Sequence, residues 1–177
     1  VWANEVWKKL AQEDGCQLTN TYPAGKYGLG VRRLAESIAR EAAAPAAALD
    51  DLLGQLAFAW LTGNGDLHAK NFSLGGPPGE LKATPAYDVL STLPYKALDP
   101  RMALKMDGRD ARLKGSHFAA FFVRHGLPER AVKRRIEKIL ARLPRWIDRL
   151  GEIGYDDETT DRLRAEILRR ATDLRTF

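Results

Sequence analysis

Apolar residues recur at helical spacing along most of the chain. Leu34 and Ile38 belong to one such pattern, and a second runs from Leu49 to Trp60. Residues three or four positions apart lie on one face of a helix, so both stretches predict helices that bury one side. Pro45 predicts that the first helix ends before the second begins. The acidic pair 50–51 is expected in the first turn of the second helix, where negative charge is favourable.

The second half of the chain also predicts helices. A short aromatic helix is expected from His117 to Arg124, a long one from Pro128 to about Leu150, and a last one over residues 157–174. The stretch from Asp88 to about residue 115 is punctuated by proline and glycine and predicts irregular structure. In the last helix, the residues expected to point inward are Leu163, Ile167, Leu168 and Leu174.

A short β-hairpin interrupts the helical pattern. Phe72 and Leu74 alternate with polar residues, as in a strand with one buried face. Residues 75–79 are rich in glycine and proline and predict a turn, after which residues 80–84 can return antiparallel. The fold class predicted from these patterns is mainly α with one small hairpin.

Composition is typical of a globular protein. The chain has 177 residues, of which 45% are apolar and 29% charged, which is enough for one domain or one lobe of a larger protein. A single cysteine, Cys16, excludes an internal disulfide and fits a reducing cytoplasm. No apolar run reaches the roughly 18 residues of a membrane span, and the first residues do not form a signal peptide. A soluble, cytoplasmic protein is expected.

The charge is unevenly distributed along the chain. Residues 1–100 contain 9 Lys/Arg and 11 Asp/Glu, whereas residues 101–177 contain 19 and 12. A basic half of this kind is found in proteins that contact nucleic acid or an acidic partner, but solvated helix faces give the same count. Charge alone does not decide between these interpretations.

The most informative motif follows the predicted helix that ends near Trp60. The run Gly-Asn-Gly-Asp-Leu-His-Ala-Lys-Asn over residues 63–71 contains Asp66 and, five positions later, Asn71; Asp88 follows beyond the hairpin. Kinase catalytic loops have this layout, with an Asp that deprotonates the acceptor hydroxyl and an Asn and a second Asp that bind Mg²⁺. Each of the three also has a plain alternative as a turn or helix-cap residue.

The wider context resembles the C-terminal lobe of HipA-like serine/threonine kinases, the toxin halves of bacterial toxin–antitoxin pairs. The similar segments, which span nearly the whole chain, are residues 12–17, Lys26-Tyr27, residues 56–74 with their His-x-Lys-Asn arrangement, Pro-Ala-Tyr-Asp-Val-Leu-Ser-Thr over 85–92, and residues 103–106. The resemblance implies a helical, protein-kinase-like lobe over residues 1–177, with lead-in helices over 1–48, the catalytic helix, loop and hairpin over 49–92, and a helical tail over 116–177.

The resemblance also implies an activity and its residues. The γ-phosphate of ATP would pass to a Ser or Thr hydroxyl of a protein substrate, with Asp66 as general base and with Asn71 and Asp88 as ligands of Mg²⁺. His68 and Lys70 would complete the nucleotide site, Lys70 near the γ-phosphate and His68 as a residue that shapes the loop. The partners implied are a HipB-like helix-turn-helix antitoxin on its operator DNA, and the role implied is in bacterial persistence.

The sequence contains no recognisable motif for the N-terminal lobe, which in kinases covers the phosphates of ATP. The chain has neither Gly-x-Gly-x-x-Gly nor a Walker loop, and no strand with an evident ATP lysine precedes Asp66. We therefore expect that the N-terminal lobe is absent and that the chain is a truncated product, a fragment, or half of a split kinase whose N-lobe is a separate polypeptide. Alone, it is expected to be weak or inactive, since positioning supplies most of the catalysis.

Two other functions are compatible with parts of the sequence. The first is a non-catalytic module that contacts DNA or an antitoxin-like repressor through its basic helices, and the second is a small-molecule phosphotransferase of the aminoglycoside-kinase type. The context of Asp88 speaks against the second. Neither paired zinc ligands nor a Gly-x-Ser-x-Gly elbow occurs. The basic residues of the first alternative are Arg130, Lys133, Arg134, Arg135, Lys138, Arg142 and Arg145.

Overall fold

The computed structural model describes residues 10–95 and 97–177. Trp2 and Trp7, which the sequence suggests as core or interface residues, lie outside the described residues. Six α-helices occur in the described part: α1 (Gly15–Leu18), α2 (Val31–Glu41), α3 (Pro45–Thr62), α4 (Gly115–Arg124), α5 (Glu129–Leu140) and α6 (Asp157–Leu174). Three short strands accompany them: β1 (Ala11–Asp14), β2 (Ser73–Gly76) and β3 (Lys82–Ala83).

Helix α3 is the centre of the fold. Pro45 is its first residue, where a missing amide costs no hydrogen bond, and Gly63 ends it in the left-handed conformation with φ of +71°. It packs against α2, α5 and α6. Because neighbours surround it, α3 is apolar on nearly all sides, and Leu53 and Leu56 are fully buried.

The helix predictions are confirmed for α2, α3, α4 and α6, with two corrections. The long helix expected from Pro128 to Leu150 is wrong: α5 stops at Leu140 and short 3₁₀ turns follow, because Pro144 cannot occupy a helix interior. The acidic pair 50–51 lies beyond the first turn of α3, which begins earlier, at Pro45.

Helix α6 differs from its prediction in the residues that point inward. It spans the predicted residues, but Leu168 is 45% exposed and not inward. Arg170, only 3% exposed, takes an inward position that no apolar pattern predicted. Its guanidinium donates to the carbonyl oxygens of Trp60 (2.9 Å) and Pro100 (3.1 Å), and its Nε donates to Glu166 (2.7 Å). The last helix therefore caps the carboxyl end of α3.

The strands form one antiparallel sheet in the order β1-β2-β3. The predicted hairpin is confirmed as β2 and β3, with Leu74 opposite Ala83. Strand β1 was not predicted; it pairs along the whole of β2, with Ala11 opposite Gly76 and Asp14 opposite Ser73. Between β3 and α4, the described residues form turns and isolated bridges, as the prolines and glycines predict.

In the described part of the chain, no helix is long and apolar enough to cross a membrane.

Candidate active site

The loop after α3 is fixed by backbone hydrogen bonds to a later segment. The Thr92 hydroxyl, which is buried, accepts from the Gly65 amide and donates to the Gly63 carbonyl, each at 3.0 Å. The Thr92 amide donates to the same carbonyl at 2.9 Å. A Cβ on Gly65 would lie 2.5 Å from the Asp99 carbonyl oxygen, so this close approach requires glycine.

Asp66 lies directly after this anchor and is held from two sides. Its amide donates to the Asn64 side-chain oxygen at 2.9 Å, a local turn that sets the backbone. Its carboxylate Oδ1 accepts a 2.7 Å hydrogen bond from the hydroxyl of Tyr27, which is 52% exposed. That hydrogen bond to Asp66 is the main reason that the pKa of the Tyr27 phenol is raised, because it stabilises the protonated phenol.

His68 is buried beside Asp66 and shapes the loop through its backbone. Its amide donates to the Asp66 carbonyl at 2.8 Å, and its carbonyl accepts from the Asn71 amide at 2.9 Å. The imidazole stands edge-on to the Tyr27 ring, with centroids 5.2 Å apart. Burial, followed by the nearby charge of Lys26, lowers the pKa of the imidazole and favours its neutral form.

Asn71 and Asp88 are brought together across the hairpin, as predicted. The Asn71 amide nitrogen donates to Asp88 Oδ2, and the Asn71 side-chain oxygen accepts from the His68 amide at 3.3 Å. Asp88 has a left-handed backbone with φ of +54°, a conformation that Asp tolerates better than most residues. No helix begins at Val89, so the alternative of Asp88 as a helix cap is wrong.

Neighbouring side chains hold the Asp88 segment in place. The Asn64 amide nitrogen donates to the Asp88 carbonyl at 3.4 Å, so Asn64 contacts the segments of both acids. The Tyr87 hydroxyl bonds to the Ser73 hydroxyl at 2.6 Å and donates to the Lys70 carbonyl. The Lys70 ammonium pairs with no acid among the described residues.

Asn71 and Asp88 fit a magnesium ion only if other oxygen ligands complete the site. One amide and one carboxylate are oxygen ligands, and Mg²⁺ commonly takes one or two such protein ligands and completes its shell with water and phosphate oxygens. Within residues 10–95 and 97–177, no group of three His, Cys, Asp or Glu side chains is placed to hold a metal ion. Asn71 and Asp88 would therefore hold the ion together with a nucleotide.

Three contributors to the site escaped the sequence analysis as functional residues. Tyr27 is 39 positions from Asp66, and Thr92 is 27 positions from Gly65, so only the fold reveals their contacts. Asn64, by contrast, lies two residues before Asp66, and an Asn at that offset is a typical turn former. Its role could have been found from the sequence.

A family model identifies the chain. The model of the HipA-like C-terminal domain matches residues 3–147. The chain belongs to the HipA-like C-terminal domain family. Y4mE of Sinorhizobium fredii, a protein named as a kinase, is 33% identical over 144 residues, which cover 78% of this chain and 34% of Y4mE. The serine/threonine-protein kinase toxin HipA of Shewanella oneidensis is 32% identical over 113 residues, 63% of this chain and 26% of that protein.

Solved structures confirm the fold class. HipA in the Shewanella oneidensis complex of HipA, HipB and operator DNA matches with a TM-score of 0.75 and 24% identity, over 92% of this chain and 43% of that one. The Helicobacter pylori proinflammatory kinase CtkA matches with a TM-score of 0.57 and 14% identity, over 94% and 66%. The HipA-like domain therefore has the mainly α, kinase-like C-lobe fold, and it spans about a quarter to a third of the length of these two relatives.

Proposed function

We propose that this HipA-like domain is the phosphoryl-transfer lobe of a serine/threonine protein kinase. The observation that carries the proposal is the contact between Asn71 and Asp88, which lie 17 residues apart in sequence. It unites two predicted magnesium ligands, an amide and a carboxylate, beside the loop that carries a second acid, Asp66. Phosphoryl transfer requires this set of groups, a metal clamp and a carboxylate for the acceptor hydroxyl.

Each group has a separate task in the proposed reaction. Asp66 accepts the proton of a Ser or Thr hydroxyl as that oxygen attacks the γ-phosphorus of ATP. Asn71 and Asp88 hold the magnesium ion, which neutralises charge on the phosphates when it is bound. In this proposal Lys70 supplies a further cation for the γ-phosphate, and His68 keeps the loop in shape while neutral.

Nucleotide binding and transfer are proposed to depend on a second lobe. The phosphate-covering loop and the ATP lysine of kinases are not recognised in these 177 residues. We propose that they come from another part of the protein or from a separate polypeptide, and that this chain alone binds MgATP weakly and transfers phosphate little. Robust ATP-dependent phosphorylation by this chain alone, abolished in Asp66→Asn, would contradict that part.

Calorimetry with MgATP tests the metal pair. The chain is expected to show a magnesium-dependent heat of binding that Asp88→Asn removes, because the variant loses the only carboxylate of the pair. Asp148→Asn is the matched control, since Asp148 is an exposed aspartate without an ion pair among the described residues. Equal binding by the Asp88→Asn variant would refute the assignment.

Reconstitution tests the catalytic base. With an N-lobe polypeptide added, phosphate transfer to serine or threonine of a protein is expected to fall by about 100-fold or more in Asp66→Asn, the usual loss for a general base. MgATP binding should be retained. A variant as active as the original chain would show that Asp66 is not the base.

A second proposal concerns partners of the basic C-terminal half. The similar HipA structure is a complex with HipB and operator DNA, and we propose that this chain likewise contacts a helix-turn-helix repressor or its DNA. Lys133 and Arg135 are occupied by ion pairs, which removes them from the basic set. Five members of the basic set have no ion pair among the described residues: Arg130, Arg134, Lys138, Arg142 and Arg145. Operator affinity that falls steeply with salt and survives Asp66→Asn would support the proposal.

A further inference from the structure

A groove of about 770 Å³ lies beside the catalytic loop and takes no part in the proposed chemistry. Helix α3 forms one wall and α5 with the following turn forms the opposite wall, while residues 83–89 close the third side. The volume is within the range of sites that bind ligands in proteins, roughly 300–1,000 Å³. The groove is therefore large enough to receive several side chains of a partner.

The walls of the groove are largely apolar. Phe58 lines it from α3, Ile139 and Trp146 from the opposite wall, and Val89 from the third side. Val89 is 54% exposed, and the next residue, Leu90, is 38% exposed. Apolar side chains that remain in contact with water beside a concave surface favour an apolar occupant, because its binding would remove that area from water.

The charge of the lining is positive. Three cations line the groove and only one carboxylate, that of Asp51, does so. Arg135 is already neutralised by ion pairs with Asp51 (3.0 Å) and Asp50 (3.5 Å). Lys138 and Arg142 follow it along the same wall, and both are exposed without an acidic partner in the described part of the chain. An occupant with carboxylates would complement this rim.

Gly54 explains why Arg135 is pinned at one end of the groove. A Cβ on Gly54 would lie 2.5 Å from the Arg135 guanidinium, so the glycine allows that side chain to cross close to α3 and reach the two aspartates. The guanidinium thus connects α3 to α5 and fixes the distance between the two walls. A groove whose walls are fixed needs little reorganisation to bind.

The third side of the groove offers unused backbone groups. Residues 85–90 continue from the edge strand β3 without regular structure. Within the described residues, no acceptor bonds to the backbone amides of residues 86–90. Asp88 turns this segment with φ of +54°, so it does not extend the sheet, but its free amides can each donate to an oxygen of a bound peptide.

We propose that this groove is a docking site for an extended, acidic segment of a partner protein. Its apolar side chains would pack between Phe58, Val89 and Trp146, and its carboxylates would pair with Lys138 and Arg142. An apolar wall with cations on one rim favours such a peptide over a nucleic acid, which requires a broad cationic surface along its phosphates. The inference goes beyond the proposed phosphoryl transfer and does not depend on it. It assigns Lys138 and Arg142 to the peptide and leaves the other unpaired members of the basic set for the proposed contact with a repressor or its DNA.

The groove lies next to the residues that position Asp66 and Asp88. Asn64 and Tyr87 line the groove and also hold the segments of Asp66 and Asp88. A peptide in the groove would therefore contact residues that position both acids. A partner bound there would lie next to the catalytic loop.

Fluorescence anisotropy with defined peptides tests the proposal on this chain. The probe is a labelled 12-residue peptide in which glutamate alternates with leucine and one tryptophan. Two control peptides separate the contributions: one replaces the apolar residues by serine, and the other replaces glutamate by lysine. Only the acidic, apolar peptide is expected to bind, with an affinity that falls as salt is raised.

Charge-reversing variants locate the binding. Lys138→Glu combined with Arg142→Glu is expected to weaken binding by about tenfold or more, since two charge contacts are lost and reversed. Val89→Ser should weaken it by about threefold through lost apolar contact. The matched control is Arg32→Glu combined with Arg109→Glu, which reverses two exposed, unpaired cations outside the groove. It should bind like the original chain.

Three outcomes would overturn the proposal. One is equal binding by the Lys138/Arg142 variant and the original chain. Another is equal binding of the glutamate–serine peptide, which would mean that charge alone attracts it and the apolar walls are unused. The third is preferential binding of a single-stranded oligonucleotide, lost in the same double variant, which would make the groove a nucleic-acid site.

Discussion

The loop after α3 and the helix α5 both present polar side chains, but the two regions hold them differently. In the loop, Asn64 and Thr92 bond to specific backbone groups, and each bond fixes the position of a neighbouring acid. On α5, Lys138 is exposed and bonds to nothing in the described residues. The loop therefore depends on individual groups, whereas the helix contributes charge that several residues share.

The difference predicts how each region responds to substitution. Loss of a loop side chain leaves a buried backbone group without a partner, which costs far more than an average hydrogen bond contributes. Loss of one exposed helix cation changes stability little, because water solvates the charge in both the folded and the unfolded states. Substitutions that violate this division are the most informative.

Arg170 is expected to be the largest exception to this division. It is a cation on a helix, but it is buried and bonds to specific groups, as the loop side chains do. Replacement by Met would remove the hydrogen bonds that Arg170 donates to the Trp60 and Pro100 carbonyls and to the Glu166 carboxylate. Glu166 would keep the two bonds from Arg169, and the Trp60 carbonyl would keep the Gly63 amide. We expect a loss of about 3 kcal/mol or more in the free energy of unfolding, measured by urea denaturation, because three hydrogen bonds from a buried charged donor are lost, each contributing about 1.5–3 kcal/mol. Arg169→Met, one residue away and half exposed, should cost less than about 1 kcal/mol. Similar losses for both variants would mean that burial does not distinguish the two arginines.

Thr92→Val sharpens the comparison within the loop itself. The variant keeps the side-chain volume but removes both hydroxyl bonds, to the Gly65 amide and the Gly63 carbonyl. A loss of about 1–3 kcal/mol in unfolding free energy is expected because the partly buried Gly65 amide loses its acceptor, whereas the Gly63 carbonyl keeps the Thr92 amide as a donor. Thr172→Val on exposed α6 surface serves as the control and should be near neutral. If the Thr92 variant is equally neutral, the loop is held by other contacts.

Loss of the hydrogen bond between Tyr27 and Asp66 is expected to change stability least, but to change the titration of the Tyr27 phenol clearly. Asp66→Asn removes the carboxylate that stabilises the protonated phenol, so the pKa of Tyr27 should fall toward the ordinary value of 10.0. Ultraviolet titration of phenolate, with Tyr27→Phe to assign the signal, measures the shift. Because folding raises this pKa, its contribution to stability is complete below pH 10 and is lost as the pH rises through the folded-state value. An unchanged phenol titration would show that the hydrogen bond is absent in solution.

The sequence predicts the elements whose signals are local. The apolar repeat and Pro45 locate α3, and the spacing from Asp66 to Asn71 and Asp88 identifies the candidate site without any contact information. Strand β1 escapes prediction because Ala11–Asp14 has no alternating pattern; its structure comes from backbone pairing with β2.

Long-range polar contacts explain most of the remaining misses. Nothing local distinguishes Arg170 from Arg169, because its burial depends on carbonyl oxygens 110 and 70 positions away. The same holds for Tyr27, whose hydroxyl meets Asp66 only after the chain has folded. The end of α5, in contrast, has a signal in the local sequence, because Pro144 indicates that the helix does not continue to Leu150.

The clamp made by Arg170 has a consequence for where this domain can be cut. The family match ends at residue 147, but α6 begins ten residues later and its arginine holds the carboxyl end of α3, immediately before the catalytic loop. A protein trimmed to the matched residues would keep every motif by which the family is recognised and would lose the side chain that caps their supporting helix. Expression boundaries for this domain should therefore extend through Leu174.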